Sequence, residues 1–215
     1  MTTDPQIEAK IRAATQTIDL IQNGMIVGLG SGSTAKIAID ILGQRVMQGL
    51  NITAVGTSIE STNQAAALGI NLLNTFTKID FTFDGADKVD PQNNLIKGYG
   101  GALTREKIVA VASTQEVIMV DKSKLTDNFL NIPIPVEVVP FGLESTKEKL
   151  SKLGAVMTLR KQEDKPFVTD NSNYILHCSF AKIDSLNELE TALKAIPGVL
   201  ETGLFLSIAT KVIVG

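Results

Sequence analysis

The chain is poor in the residues that bind metals and close disulfides: its 215 residues hold one cysteine, one histidine and no tryptophan. Cys178 has no partner for an internal disulfide. A zinc centre needs about four nitrogen or sulfur ligands, which His177 and Cys178 cannot supply. The two are also neighbours in the apolar run "YILHCSF", where strand geometry sends consecutive side chains to opposite faces. His177 therefore reads as a structural side chain and no metal is expected, although an all-carboxylate magnesium site is not excluded on these grounds. An excess of positive charge is missing too. Twenty Lys and Arg stand against 23 Asp and Glu, a net charge of −3, which argues against the basic footprint of a nucleic-acid binder. No apolar run reaches the ~18 residues of a membrane span. "MTTDPQIEAK" lacks the basic start and apolar core of a secretory signal. The expectation is a cytoplasmic protein with neither nucleic acid nor membrane as partner.

What is present is alternation. Hydrophobic residues make up 44% of the chain, enough for one medium domain or one with a small appendage. Ile7, Ile11, Ala14, Ile18 and Ile21 recur at helical spacing, so 5–22 is expected to be an amphipathic helix. The strand "MIVGLG" (25–30) leads to a helix at 34–48, a strand at 52–58 and a short helix at 61–69. "IDFTFDGAD" (79–87) is a strand running into a turn, 103–114 a helix and 116–121 a strand. Apolar strands alternating with helices predict an α/β fold, an open, mostly parallel, Rossmann-like sheet covered on both faces. Near residue 130 the pattern changes. "NIPIPVEVVP", with three prolines, reads as a linker or an edge strand. A charged helix (144–154), strands at "AVMTLR", "FVTD" and "YILHCSF", and a helix at 186–196 follow. The order β-α-β-β-α-β suggests a second, smaller α+β ferredoxin-like module. "GLFLSIATKVIVG" either closes that module or returns to the first sheet.

Three strand ends carry polar, glycine-bearing loops, and ligands of open parallel sheets bind beyond the carboxyl ends of the strands. The first is Gly28 to Thr34, the second Thr57 to Thr62, the third Asp84 to Asp87, followed by Lys97 to Gly101. In the first, Ser33 stands where the third glycine of a dinucleotide fingerprint belongs, and no G-K-[ST] of a phosphate-binding P-loop occurs. Backbone donors at a helix start with hydroxyls from Ser31, Ser33 and Thr34 suit a monophosphate or a small polyol. The same residues serve equally as a tight turn with a serine cap. In "DGAD", Asp84 and Asp87 are close enough in sequence for like-charge repulsion to raise one pKa, yet aspartate turns are also common in loops. Glu106, in "KGYGGALTREK", compensates a helix dipole at the least. With Lys97 beside the glycines it is also a general base next to a cation, the apparatus for moving a proton between adjacent carbons of a phosphorylated hydroxy-carbonyl compound.

Taken together, "VGLGSGSTA", "DGADKVD", "IKGYGGALTREKI", "VDKSKL" and "IPGVLETGLF" resemble the type A ribose-5-phosphate isomerases, over nearly the whole chain and in order. The resemblance implies interconversion of ribose 5-phosphate and ribulose 5-phosphate through a cis-enediolate, without metal or organic cofactor, in a homodimer or homotetramer. It implies Glu106 as catalytic base, Asp84 assisting ring opening and Lys97 stabilising charge. It further implies a phosphorylated pentose held by Ser31, Gly32, Ser33, Thr34, Asp84, Gly85, Ala86, Asp87, Lys97, Gly98, Tyr99, Gly100 and Lys124. It implies domains at 1–130, joined by 205–215, and at 131–204. Two departures stand out. Tyr99 interrupts a glycine run, either narrowing the pocket or turning its ring outward. Ser207-Ile208-Ala209-Thr210 replaces the Arg-Ala-Asp that often follows "GLF". Other readings are a non-catalytic sugar-phosphate sensor, for which the chain has no DNA-binding module, and a phosphosugar deaminase or lactonase. The latter commonly use a catalytic histidine, and His177 is expected in the smaller module, away from the loops.

Overall fold

The computed structural model describes residues 4–215. Asp4 caps α1 (Pro5–Ile18), its carboxylate accepting the Gln6 N–H at 2.9 Å, with proline in the first turn. The chain then alternates through β1 (Ile26–Leu29), α2 (Ser33–Met47), β2 (Thr53–Gly56), α3 (Ile59–Ala67), β3 (Asn71–Leu72) and β4 (Ile79–Gly85). Two short strands, β5 (Lys88–Val89) and β6 (Leu95–Ile96), precede α4 (Leu103–Val111) and β7 (Ser113–Val120). Next come β8 (Ile134–Val138), α5 (Leu143–Lys152), β9 (Val156–Leu159), the small hairpin β10 (Lys161–Gln162) and β11 (Lys165–Pro166), and β12 (Tyr174–Ser179). The last elements are α6 (Leu186–Lys194), β13 (Val199–Thr202), β14 (Leu204–Phe205) and β15 (Lys211–Val214).

The chain divides into two units, one of residues up to Ala86, Arg105–Leu125 and Ser207–Gly215, the other of Asp87–Thr104 and Thr126–Leu206. In the first, six strands form one sheet in the order β15-β7-β4-β1-β2-β3, parallel at every pairing. From β1 the chain moves outward to β2 and β3, then returns to place β4 on the other side of β1. The carboxyl ends of β1 and β4 therefore flank the switch point of the sheet, where open α/β sheets bind ligands. Val27, Leu29, Phe81, Phe83, Val117 and Met119 from the strands share a core with Ile18, Ile39 and Leu42 from the helices.

In the second unit four antiparallel strands run in the order β13-β8-β12-β9. Ile134, Val136 and Val138 alternate along β8, Leu176 and Cys178 along β12, and each set shares a strand face. They join Leu150 of α5 and Leu193 of α6 in one core. Strands β14, β6 and β5 form a separate antiparallel sheet.

Three expectations change. "NIPIPVEVVP" holds an interior strand: β8 pairs on both sides and all its residues are buried. Pro135 fits because it lies beyond the last β13 partner, Val136↔Thr202, and engages there only through its carbonyl, which accepts the Gly203 N–H at 2.6 Å. "FVTD" is not a strand; Thr169 instead closes a turn on Ser172 and Asn173. Of the two roles considered for the C-terminal stretch, its end takes the second: β15 returns to the first sheet beside β7, while β14 pairs with β6 in the separate three-stranded sheet and β13 is the last strand of the four-stranded one.

Candidate active site

Within the first unit the glycine loop and the aspartate turn meet at the switch point. Gly30 donates its N–H to Phe83 O at 2.9 Å, and a Cβ there would lie 2.3 Å from Asp84 Cγ, so only glycine admits this approach. Asp84, 1% exposed, accepts the N–H groups of Ser31 at 3.1 Å and Gly85 at 2.7 Å on one oxygen. Ser31 Oγ is hydrogen-bonded to Thr57 Oγ1 at 2.8 Å and to Ser58 Oγ at 2.9 Å. Ser58 in turn caps α3 with a capping box to Ser61. Ser31 thus ties the three strand-end loops of β1, β2 and β4 together. Gly32 precedes α2 at φ 90 without a side-chain cap, so the first N–H groups of that helix remain donors for an anion. Thr34 lies alongside Gly85, whose Cβ would be 3.8 Å from Thr34 Cβ.

A cationic group forms at the same helix start. Lys10, from α1, donates from Nζ to Ser33 Oγ at 3.0 Å. Asp121, at the end of β7, accepts from Ser123 Oγ at 2.5 Å and Ser123 N–H at 2.8 Å. Burial opposes its charge, but the Ser123 hydrogen bonds and the ammonium groups of Lys124 and Lys10 outweigh this and hold the carboxyl below its usual range. Lys10, Ser33, Asp121 and Lys124 therefore share one electrostatic neighbourhood. Lys10 was not singled out by sequence. Its position on the polar face of an amphipathic helix resembles that of any solvated lysine, and only the fold brings it to Ser33.

Glu106 sits in the first turn of α4 and is 4% exposed. Val109 of the same helix packs with Val55 and Ile79 in a small core.

Within the second unit lie Asp87 and the stretch Lys97 to Gly100. Lys97, 3% exposed, donates its N–H to Gly203 O at 2.9 Å and places Nζ 5.4 Å from the Phe205 ring centroid, within cation–π range. Asp87 Oδ2 accepts the Tyr99 N–H at 2.9 Å, and Gly101 N–H closes the turn on Gly98 O at 3.0 Å. Tyr99, which breaks the glycine run, is a brace: its hydroxyl donates to Pro133 O at 2.8 Å. Burial, then the charge of Asp87, pushes its phenol up to about 12. The Tyr99 ring meets His177 edge-on at 5.3 Å. This corrects the expectation that His177 lies away from the loops, because β12 runs beside β8 and carries the imidazole to the tyrosine. Burial, then Arg160, lowers the His177 pKa, favouring the neutral ring. Phe167 stands 3.8 Å beneath the Arg160 guanidinium and touches Gly101.

Among the described residues no group of three or more His, Cys, Asp or Glu is placed to hold a metal ion, and no helix is long and apolar enough to cross a membrane.

Residues 53–215 match the family model of ribose 5-phosphate isomerase A (phosphoriboisomerase A). The chain is 47% identical over 209 residues to a ribose-5-phosphate isomerase A of Gloeobacter violaceus, covering 95% of this chain and 91% of the relative. It is 46% identical over 210 residues to that of Thermoplasma volcanium, covering 96% and 87%. A solved D-ribose-5-phosphate isomerase in complex with phospho-erythronic acid superimposes with a TM-score of 0.93 at 39% identity, covering 99% of this chain and 96% of that one. The ribose 5-phosphate isomerase A of Methanocaldococcus jannaschii gives 0.92 at 37%, covering 98% and 95%.

Proposed function

We propose that Glu106 carries the proton in this chain, which belongs to the ribose 5-phosphate isomerase A family and interconverts ribose 5-phosphate and ribulose 5-phosphate. The observation that supports this reading is a carboxylate withdrawn from solvent in the first turn of α4.

The chemistry follows from the carbon framework. In the opened aldose, Glu106 removes the proton from C2, and the C–H electron pair shifts the C1 carbonyl into a cis-enediolate. The carboxyl then delivers a proton to C1, either the one it took or one exchanged with solvent, while the O2 proton passes to O1 and the C2 carbonyl forms. No electron leaves the substrate, so the step needs no external oxidant. Negative charge grows on oxygen in the intermediate, and a withdrawn ammonium such as Lys97 stabilises it more than a solvated one does. Asp84, whose carboxylate is fixed by two backbone N–H groups, assists ring opening, and Asp87 binds a sugar hydroxyl. The backbone of Gly85, Ala86, Gly98, Tyr99 and Gly100 lines the sugar. Lys10, Ser33, Thr34, Lys124 and the uncapped start of α2 hold the phosphate, the oxygen-rich dianion their chemistry suits. The ligand of the related solved structure, phospho-erythronic acid, joins a phosphate to a carboxylate and so carries charge where the enediolate does. The chain acts in the cytoplasm as a homodimer or homotetramer, as the family resemblance implies.

The test is to incubate ribose 5-phosphate with the protein in deuterated water and follow ketose formation and deuterium at the carbon next to the carbonyl. Glu106→Gln is expected to lower kcat by roughly 10²–10⁴ while retaining substrate binding, the range for loss of a positioned general base. Activity within a few-fold of the parent would overturn the assignment.

A further inference from the structure

Beyond the site itself, the second unit buries a carboxylate with no part in the chemistry above. Glu137 lies in the interior strand β8 and is 0% exposed. Its Oε1 accepts from Thr169 Oγ1 at 2.8 Å, Asn173 Nδ2 at 3.0 Å and Asn171 Nδ2 at 3.3 Å. Its Oε2 accepts from Thr104 Oγ1 at 2.5 Å. Thr169 and Asn173 are also locked to each other: Thr169 N–H donates to Asn173 O at 2.9 Å, and Asn173 N–H to Thr169 Oγ1 at 3.1 Å. Burying a carboxylate is costly unless donors surround it, and here four do. Ile134, Val136 and Val138 fill the other face of the same strand, so a nonpolar residue at 137 would have met the needs of packing alone.

The recipient of this arrangement is α4. Thr104 is its second residue and Glu106 its fourth. Two residues turn a helix by about 200° and advance it ~3 Å. Thr104 and Glu106 therefore point to nearly opposite sides of one turn, and anchoring the first fixes the rotational phase of the second. A glutamate carboxyl stands about 6 Å from the helix axis, so a roll of roughly 10° displaces it by ~1 Å. A misplacement of that size costs on the order of a hundredfold in rate.

We infer that Glu137, held by Thr169, Asn171 and Asn173, is a positioning residue for the isomerisation: through Thr104 it sets the roll of α4 and with it the aim of Glu106. This rests on Glu106 being the base. Thr104→Val removes the hydrogen bond and keeps the shape; Thr104→Ala removes it without pressing a methyl group on the carboxylate; Thr104→Ser restores it. The expected result with ribose 5-phosphate is a kcat about ten- to a hundredfold lower in Thr104→Val and Thr104→Ala. KM should stay within about threefold, and kcat in Thr104→Ser within about threefold of the parent. Parental kcat in a folded Val or Ala variant overturns the inference. So does a loss that serine fails to restore, or one carried by KM. Should Thr104→Val not fold, Thr104→Ala decides. Glu106→Gln is run beside them: if it is inactive while the Thr104 variants are unaffected, only the positioning role falls. If it is active, the base assignment falls first.

Discussion

The loop from Gly30 to Thr34 in the first unit and the loop from Lys97 to Gly101 in the second both lead into a helix through glycines at positive φ, 90 at Gly32, 110 at Gly98 and 96 at Gly101. They are supported differently. Behind the first stand small groups: the hydroxyls of Thr57 and Ser58 and the carboxylate of Asp84. Around the second stand rings: Tyr99 reaching Pro133 and His177, and Phe167 against Gly101. Under the proposed function the first loop grips an anion and must keep its N–H groups facing outward, so its support is compact and polar. The second, on the same proposal, aims one lysine and precedes the helix of the proposed base; it gains from stiffness, which bulky side chains supply. On that reading two glycine-bearing loops serve two jobs, one of binding and one of alignment.

The largest expected effect that bears on this contrast is at Lys97. Lys97→Met keeps the stem beside Phe205 and removes the charge. A fall of roughly 10²–10³ in kcat/KM, with kcat itself reduced, is expected for a lost stabiliser of developing oxyanion charge. A change in KM alone would move Lys97 from alignment to simple binding. Next come paired alanines. At Gly101 a Cβ would sit 2.5 Å from Phe167 Cζ in addition to its positive φ, whereas at Gly32 it would meet nothing within 4 Å. Urea unfolding should show about 2–4 kcal/mol lost in Gly101→Ala, from strain and overpacking together, and ~1–2 kcal/mol in Gly32→Ala from strain alone. Kinetics should divide the same way, Gly32→Ala raising KM and Gly101→Ala lowering kcat. Equal losses would dissolve the distinction. The smallest effect is at the Tyr99 hydroxyl. Tyr99→Phe removes one hydrogen bond, about 0.5–1.5 kcal/mol. Because the folded phenol is raised from 10.0 to about 12, its contribution is complete below pH 10 and is lost as pH climbs towards 12. The phenylalanine variant should lack that share of the alkaline loss in a pH series of melting temperatures.

Much of this was legible beforehand, for identifiable reasons. The apolar runs ending at Leu29, Gly56 and Gly85 announced parallel strands, and the polar loops after them are the ones that Ser31 ties together at the switch point. Glu106 and Lys97 stood out because charges beside glycines at a helix start are uncommon in a mere connector. Three things were hidden. Pro135 disguised an interior strand as a linker, since a missing N–H matters only where a partner would have used it. Lys10 was indistinguishable from a solvated helix residue. Glu137 was visible as a carboxylate among valines, yet nothing nearby showed which groups would satisfy it.

By itself, then, the order of residues specified what is local: periodicity, caps, turns and the chemical character of each strand end, all of which depend on neighbours within a few positions. The tertiary structure alone decided which distant groups meet. Lys10 with Ser33 and Thr104 with Glu137 span 23 and 33 residues. Such partners are set by strand order and by which faces are buried together, because a hydrogen bond across that distance forms only after packing has closed the loop between its ends.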